Sequence, residues 1–349
     1  MAVTDDALKL EEKHMNFSSV GNLLRRPEAG AMLGMIGVFL FFVVFGGTSF
    51  IQPAGMATWL NVAANLGIVA IPVGLLIIAG ELDISIGSMI PAGSMIIAIM
   101  SGHYGLPNWM AVVAVLAFGV IIGTINGLMV VRTAVPSLIV TLGTLFVVAG
   151  LILAISVLIT GTTSVALKAE PWAKFLFGHF IANTFQVIIL WWIGLSALYI
   201  FFVHYSPWGN WIFAMGGDKT SARNAGIPTE TLTITLFIIT SVSAAFVGMC
   251  QAVLFNSAQV SAGQSYIFNA IIAVVVGGVL LTGGFGSVIG IIFGTITFAV
   301  VNQGIYITNF DRNWSSVIIG LMLLAAVLMN NTFRQMALRY APKKKGGSP

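Results

Sequence analysis

Ten stretches of this chain run for the length of a membrane span with scarcely an ionisable group: roughly 31–51, 60–80, 86–102, 110–131, 138–160, 183–204, 230–252, 266–282, 286–308 and 314–330. A helix needs about 20 apolar residues to cross a hydrocarbon core of about 30 Å. Lipid offers no partner to a free backbone group, so each stretch is expected to be helical. Only 7% of the 349 residues are charged, against roughly 25% in a soluble domain, and the mean hydropathy is +1.01. The fold class expected is therefore all-α, a polytopic membrane protein of about ten transmembrane helices with cytosolic N- and C-termini. Two stretches are the least regular. The third is short and carries Pro91, and the eighth, flanked by Gly277, Gly278, Gly283 and Gly284, reads equally as a crossing or as a re-entrant hairpin.

Charge gives an independent test of that threading. It places Lys9, Lys13, Arg25, Arg26, Arg132, Lys219, Arg223, Arg334, Arg339 and Lys343 to Lys345 inside, and only Lys168, Lys174 and Arg312 outside. This is the asymmetry of the positive-inside rule, and removing one span would spoil it. The organisation read from it is a cytosolic tail over 1–30, a membrane domain over 31–330 with a cytosolic loop at 206–229, and a second cytosolic tail over 331–349. No cleavable signal peptide is evident in the polar start. All eight tryptophans, Trp59, Trp109, Trp172, Trp191, Trp192, Trp208, Trp211 and Trp314, stand at or near span ends, as in an interfacial belt. The outer loop at 161–182 is long enough for a short surface helix. Gly119-x-x-x-Gly123-Thr124-Ile125 recurs as Gly290-x-x-x-Gly294-Thr295-Ile296, which reads first as close helix packing and second as an inverted repeat. Basic residues are scattered rather than striped, so no nucleic-acid partner is expected.

No catalytic or metal-binding constellation is visible. His14, His103, His179 and His204 have no metal-ligand spacing, the single Cys250 lies in an apolar run, and no phosphate-cradling G-x-x-x-x-G-K-[ST] occurs. Glu81 and Asp83, between the second and third stretches, are the only acids near an apolar segment outside the obvious loops, and a carboxylate at membrane depth is expensive to keep. Asp83 and Ser85 stand where the third helix begins, so capping is the favoured reading for Asp83, with Glu81 open. Uncharged polar groups are more numerous: Asn61, Asn65, Asn126, Thr141, Thr144, Asn269, Asn302 and Gln303. With Glu81 and Asp83 they are the candidates for a translocation pathway, hydroxyls and amides suiting a neutral, hydroxylated solute. Interhelical hydrogen bonding is the plainer reading for any one of them. In the cytosolic loop, Ser221 to Ala225 can form a short helix closed by a left-handed turn at Gly226, a plausible handle for a soluble partner.

Four blocks carry a family resemblance: Gly80-Glu-Leu-Asp-Ile-Ser-Ile-Gly87, Val135-Pro-Ser-Leu-Ile-Val-Thr-Leu-Gly-Thr144, Met215 through Gly226, and Ala273-Val-Val-Val-Gly-Gly278 followed by Gly283-Gly-Phe-Gly286. Over roughly 60–330 the chain resembles the permeases of the ribose, xylose and galactose branch of bacterial ABC importers. The resemblance implies the large-permease arrangement in the bacterial inner membrane and transport of a monosaccharide or related polyol. It also implies a cytosolic ABC ATPase that holds ATP and Mg, a periplasmic sugar-binding protein and a second permease copy. This chain itself would bind no cofactor and perform no hydrolysis. Ser221, Ala222, Arg223, Ala225 and Gly226 are the positions that match the family's coupling segment. Ser221-Ala222 stands where importers generally have Glu-Ala, and Glu81 where a second glycine is more usual. The rival readings are an ion-coupled secondary transporter, which would want more buried ion ligands, and a channel.

Overall fold

In a computed structural model the structure describes residues 27–133 and 135–308, together with Val317, Gly320, Leu321, Leu324, Ala325 and Leu328. Most of the expected tail 1–30, the tenth span 314–330 and the tail 331–349 lie outside the described residues. The chain folds into α1 (Pro27–Ile51), α2 (Pro53–Ile78), α3 (Ile86–Ile97), α4 (Asn108–Arg132), α5 (Ser137–Thr160), α6 (Pro171–Phe177), α7 (Ile188–Tyr205), α8 (Pro207–Gly217), α9 (Lys219–Asn224), α10 (Thr229–Phe255), α11 (Ser265–Val276) and α12 (Val288–Ile307). Among the described residues eight helical elements are long and apolar enough to cross a membrane, α3 qualifying only with the π-turn Ala98–His103 that continues it.

Burial sorts these helices into a centre and a shell. Of the apolar window of α2, 89% is buried, whereas for α5 the share is 17%. Helix α2 is wrapped by α10, α11 and α12, and α10 packs in turn along α4 and α3. The α4–α10 seam has a specific cause. Gly119, Gly123 and Gly127 lie one above the other, four residues apart, and a Cβ on them would come within 2.8, 2.5 and 2.7 Å of the Cα atoms of Val242, Ile238 and Ile234. The two backbones therefore touch directly, the mode of association that small residues permit in lipid. Gly290 and Gly294 meet the backbone of Gly277 and Ala273 in the same way, so both members of the sequence echo sit at close helix contacts.

Helix ends follow local rules. Proline opens α2, α6 and α8, where its missing N–H costs nothing. Gly161 ends α5 at φ +71° and Asn256 ends α10 at φ +54°. The loop 161–182 does contain a short helix, α6, and the Lys174 ammonium on it donates to Val253 O (2.7 Å), Leu254 O (2.9 Å) and Asn256 Oδ1 (3.1 Å). A cation thus closes the carbonyl end of α10. Two small ladders complete this outer face: β1 (Ser164–Ala166) with β4 (Ser257–Gln259), and β2 (Phe180–Ile181) with β3 (Phe185–Gln186), both antiparallel.

Two expectations are corrected. The stretch 266–282 is not one helix: α11 stops at Val276 after 12 residues, or about 18 Å, and 277–287 returns without helix through Gly278, Gly283, Gly284 and Gly286, all at positive φ. Non-helical backbone at membrane depth is tolerated where protein surrounds it, and Val279 is buried. The tryptophan belt is also incomplete. Trp59 and Trp192 are core residues, and Gly67 makes room for Trp192, whose Nε1 would lie 2.1 Å from a Cβ there.

Candidate functional site

Helix α2 ends at Ile78 and the chain turns at Gly80, at φ +88°, and α3 starts six residues after that turn. The non-helical link between them, 81–85, lies beside Thr240, near the midpoint of α10, with Asp83 and Ser85 buried and Glu81, Leu82 and Ile84 half-buried. The Glu81 amide still donates to Leu76 O of α2 (3.0 Å), and beyond it side chains receive the amides: Leu82 N–H donates to Ser137 Oγ (3.1 Å) and Ile84 N–H to Thr141 Oγ1 (3.3 Å). These hydroxyls come from consecutive turns of α5, one residue face reading one edge of the link.

Asp83 is the hub. Its Oδ1 accepts from the Ser85 amide (2.9 Å) and hydroxyl (2.5 Å), and its Oδ2 from the Thr240 hydroxyl (2.9 Å). Ser85 Oγ accepts in turn from Asn126 Nδ2 (3.0 Å), and Asn126 Oδ1 accepts from Thr144 Oγ1 (2.6 Å). One network thus joins the link to α4, α5 and α10. Asp83 is 1% exposed and Ser85, Asn126, Thr141 and Thr240 are fully buried. The expected capping is corrected: no side chain caps the first amides of α3, and Asp83 instead turns onto Ser85 and reaches across to Thr240. Of the sequence candidates, Asp83, Asn126, Thr141 and Thr144 are brought together here.

Asn61 and Asn65 belong to a second cluster at the outer end of α2. Asn61 Oδ1 accepts from Gln186 N–H (2.9 Å), and Asn65 Nδ2 donates to Gln186 Oε1 (3.2 Å). Gln251 Nε2 donates to Tyr266 Oη (2.7 Å) and reaches Asn65 Oδ1 at 3.4 Å. This group joins α2, β3, α10 and α11, and Asn61, Gln186, Gln251 and Tyr266 are half-buried. The remaining candidates are apart: Asn269 is half-buried on α11, and on α12 Gln303 Nε2 donates to Asn302 Oδ1 (2.8 Å). Gln186, Gln251, Tyr266, Thr240 and Ser137 were not among the sequence candidates. A fuller census of hydroxyls and amides inside the apolar runs would have found them, but not their partners.

The loop 206–229 is folded. Asp218 caps α9, accepting from Ser221 N–H (3.1 Å), Ser221 Oγ (2.9 Å) and Thr220 N–H (2.9 Å), and the same Ser221 amide and hydroxyl, then the Thr220 amide, hold its carboxyl below the usual carboxylate range. Arg223 reaches Glu230 at 3.0 Å, and Gly226 turns the chain at φ +86°. Ala222 is buried, while Ser221, Arg223, Ala225 and Gly226 are exposed. Glu81 does not face the interior network: its Oε1 lies 2.6 Å from Lys219 Nζ, at the first residue of α9. Among the described residues no three His, Cys, Asp or Glu side chains gather as metal ligands would.

Comparison with known proteins bears on the whole bundle. A family model described as a branched-chain amino acid transport system permease component matches residues 55–327. An inner membrane ABC transporter permease of Escherichia coli is 30% identical over 84% of this chain and 89% of its own. A fructose import permease of Rhizobium meliloti is 29% identical over 89% of this chain and 87% of its own. A ribose import permease of Bacillus subtilis is 27% identical over 93% and 98%. No solved structure matches.

Proposed function

The chain belongs to this family of transport-system permease components, and from that premise we propose that it carries a monosaccharide or related polyol across the bacterial inner membrane as the spanning subunit of an ABC importer. The carrying observation is the near full-length similarity to import permeases whose named solutes are fructose and ribose. The side chains support a neutral solute. A zwitterionic amino acid would want paired charges along its route, whereas the charged residues of the described spans stand only at their ends. The same relatives favour this reading over an ion-coupled secondary transporter.

In the proposed cycle a periplasmic binding protein delivers the sugar to the outer face, where α6 and the two ladders lie. A cytosolic ATPase, holding ATP and Mg, docks on the exposed side chains of Ser221, Arg223, Ala225 and Gly226, with Ala222 anchoring α9 from beneath. The sugar passes between two copies of the permease. Asn61, Asn65 and their partners offer amide and phenol groups to its hydroxyls, and the sealed Asp83 network keeps the bundle in register rather than touching solute. The tails 1–30 and 331–349 remain cytosolic.

Reconstitution tests the reading. Vesicles holding the chain with its ATPase and binding protein should accumulate fructose, galactose or ribose when ATP is supplied. The chain alone should accumulate none under any ion gradient. Uphill uptake by the isolated chain would overturn the assignment.

A further inference from the structure

Where α2, α8 and the loop after α11 meet, three backbones touch with no side chain between them. A Cβ on Gly216 would lie 1.7 Å from Ile78 O and 2.5 Å from Gly284 N, and one on Gly283 would lie 2.9 Å from Gly216 O and 3.2 Å from Gly80 Cα. The Gly284 amide donates to Ile78 O at 2.8 Å. Beside this junction the Glu81–Lys219 pair spans the same gap at 2.6 Å, the Glu81 side chain 11% and the Lys219 side chain 44% exposed. Lys219 opens α9, and two residues beyond Glu81 stands Asp83, whose network grips α4, α5 and α10.

We infer that Glu81 and Lys219 form a positioning pair that passes displacement of the cytosolic loop 206–229 into the link 81–85, and so to three spanning helices at once. The inference rests on the coupling role proposed above for that loop. The physical warrant is the absence of slack. Packed cores shift between discrete arrangements instead of yielding gradually, and a backbone-on-backbone junction has no rotamers with which to absorb a push. The glycines fix how closely α8 and α2 approach, but they leave α8 free to slide along the junction. An ion pair from the start of α9 to the link removes that freedom, because sliding would pull apart opposite charges of which one is nearly enclosed. An exposed pair adds little to stability, so its worth here lies in register. Neighbouring Asp218 holds α9 in shape at the same point, with its cap bonds to Thr220 and Ser221.

The test uses the complete importer in lipid vesicles, with Glu81→Gln, Lys219→Gln and the exchanged pair Glu81→Lys with Lys219→Glu. Amide exchange by mass spectrometry, with and without ATP and vanadate, reads α9 and the link 81–85 separately and requires no knowledge of the solute. In the unaltered importer both segments should respond to nucleotide. In each single variant α9 should still respond while the link does not, and the exchanged pair should restore the joint response. Sugar accumulated per ATP hydrolysed, with fructose, galactose and ribose as probes, should fall about ten-fold in the single variants and recover in the exchanged pair. A link that still follows α9 in both single variants overturns the positioning role alone. If α9 in the unaltered importer ignores nucleotide, the coupling reading falls first, and this inference with it.

Discussion

The two buried polar clusters differ in kind. The inner one, around Asp83, contains a carboxylate, is almost wholly buried, and spends its acceptors on the amides of the link 81–85. The outer one, around Asn65, is uncharged, half-buried, and built from amides and a phenol. A carboxylate enclosed in a membrane protein survives only if its partners are fixed, so the inner cluster must be rigid to exist. The outer cluster carries no such obligation, and its groups are free to exchange one hydrogen-bond partner for another. On the transport cycle proposed above, architecture falls to the first cluster and solute contact to the second.

The contrast breaks most decisively at Asp83. Asp83→Ala leaves the Ser85 amide and hydroxyl without their acceptor and the Thr240 hydroxyl with only Phe237 O, and the bundle should lose about 3 kcal/mol, read as a lower unfolding temperature in detergent. Asp83→Asn, which keeps an oxygen for Ser85, should lose much less. An Asp83→Ala protein as stable as the parent would dissolve the distinction. Next in size, Asn65→Ala should leave stability nearly unchanged while weakening uptake several-fold, because a hydrogen bond within a membrane bundle is worth only about 0.6 kcal/mol; initial rates against sugar concentration check it. Tyr266→Phe removes one acceptor from Gln251 and should produce a smaller change of the same kind. The smallest effect belongs to the loop 206–229. The Asp218 carboxyl titrates below its unfolded value, so its support of α9 is complete above the ordinary carboxylate range and is lost only as pH falls through the lowered value. Amide exchange at Thr220 and Ser221 should be faster in Asp218→Ala than in the parent at neutral pH, and the ratio of the two rates should approach one only in acid.

Periodicity and length located the regular spans well. The stretches 110–131 and 138–160 differ from α4 and α5 by a residue or two at their ends, because twenty apolar residues in lipid have one secondary structure open to them. The same reasoning failed at 277–287, where hydropathy records that a segment is surrounded but not whether lipid or protein surrounds it. The paired glycines were the legible hint. At 52–59 it set the start of the second span seven residues late, since only Gln52 separates α1 from α2 and Pro53 begins the new helix at once. For the candidate site, the residues were legible and their partners were not. Asp83 and Ser85 announced a helix start, but Thr240 lies 157 positions away, and only the packing of α10 brings it near. Glu81 was ambiguous for the same reason, its partner Lys219 being 138 positions off.

The seam between α4 and α10, where Gly119, Gly123 and Gly127 rest on Ile234, Ile238 and Val242, has a practical corollary. With no side chains between them to shear, these two helices travel as a single plank. Spectroscopic labels placed one on each would hold a constant separation through every turnover, and so provide an internal ruler against which the excursions of α8 and α11 can be measured.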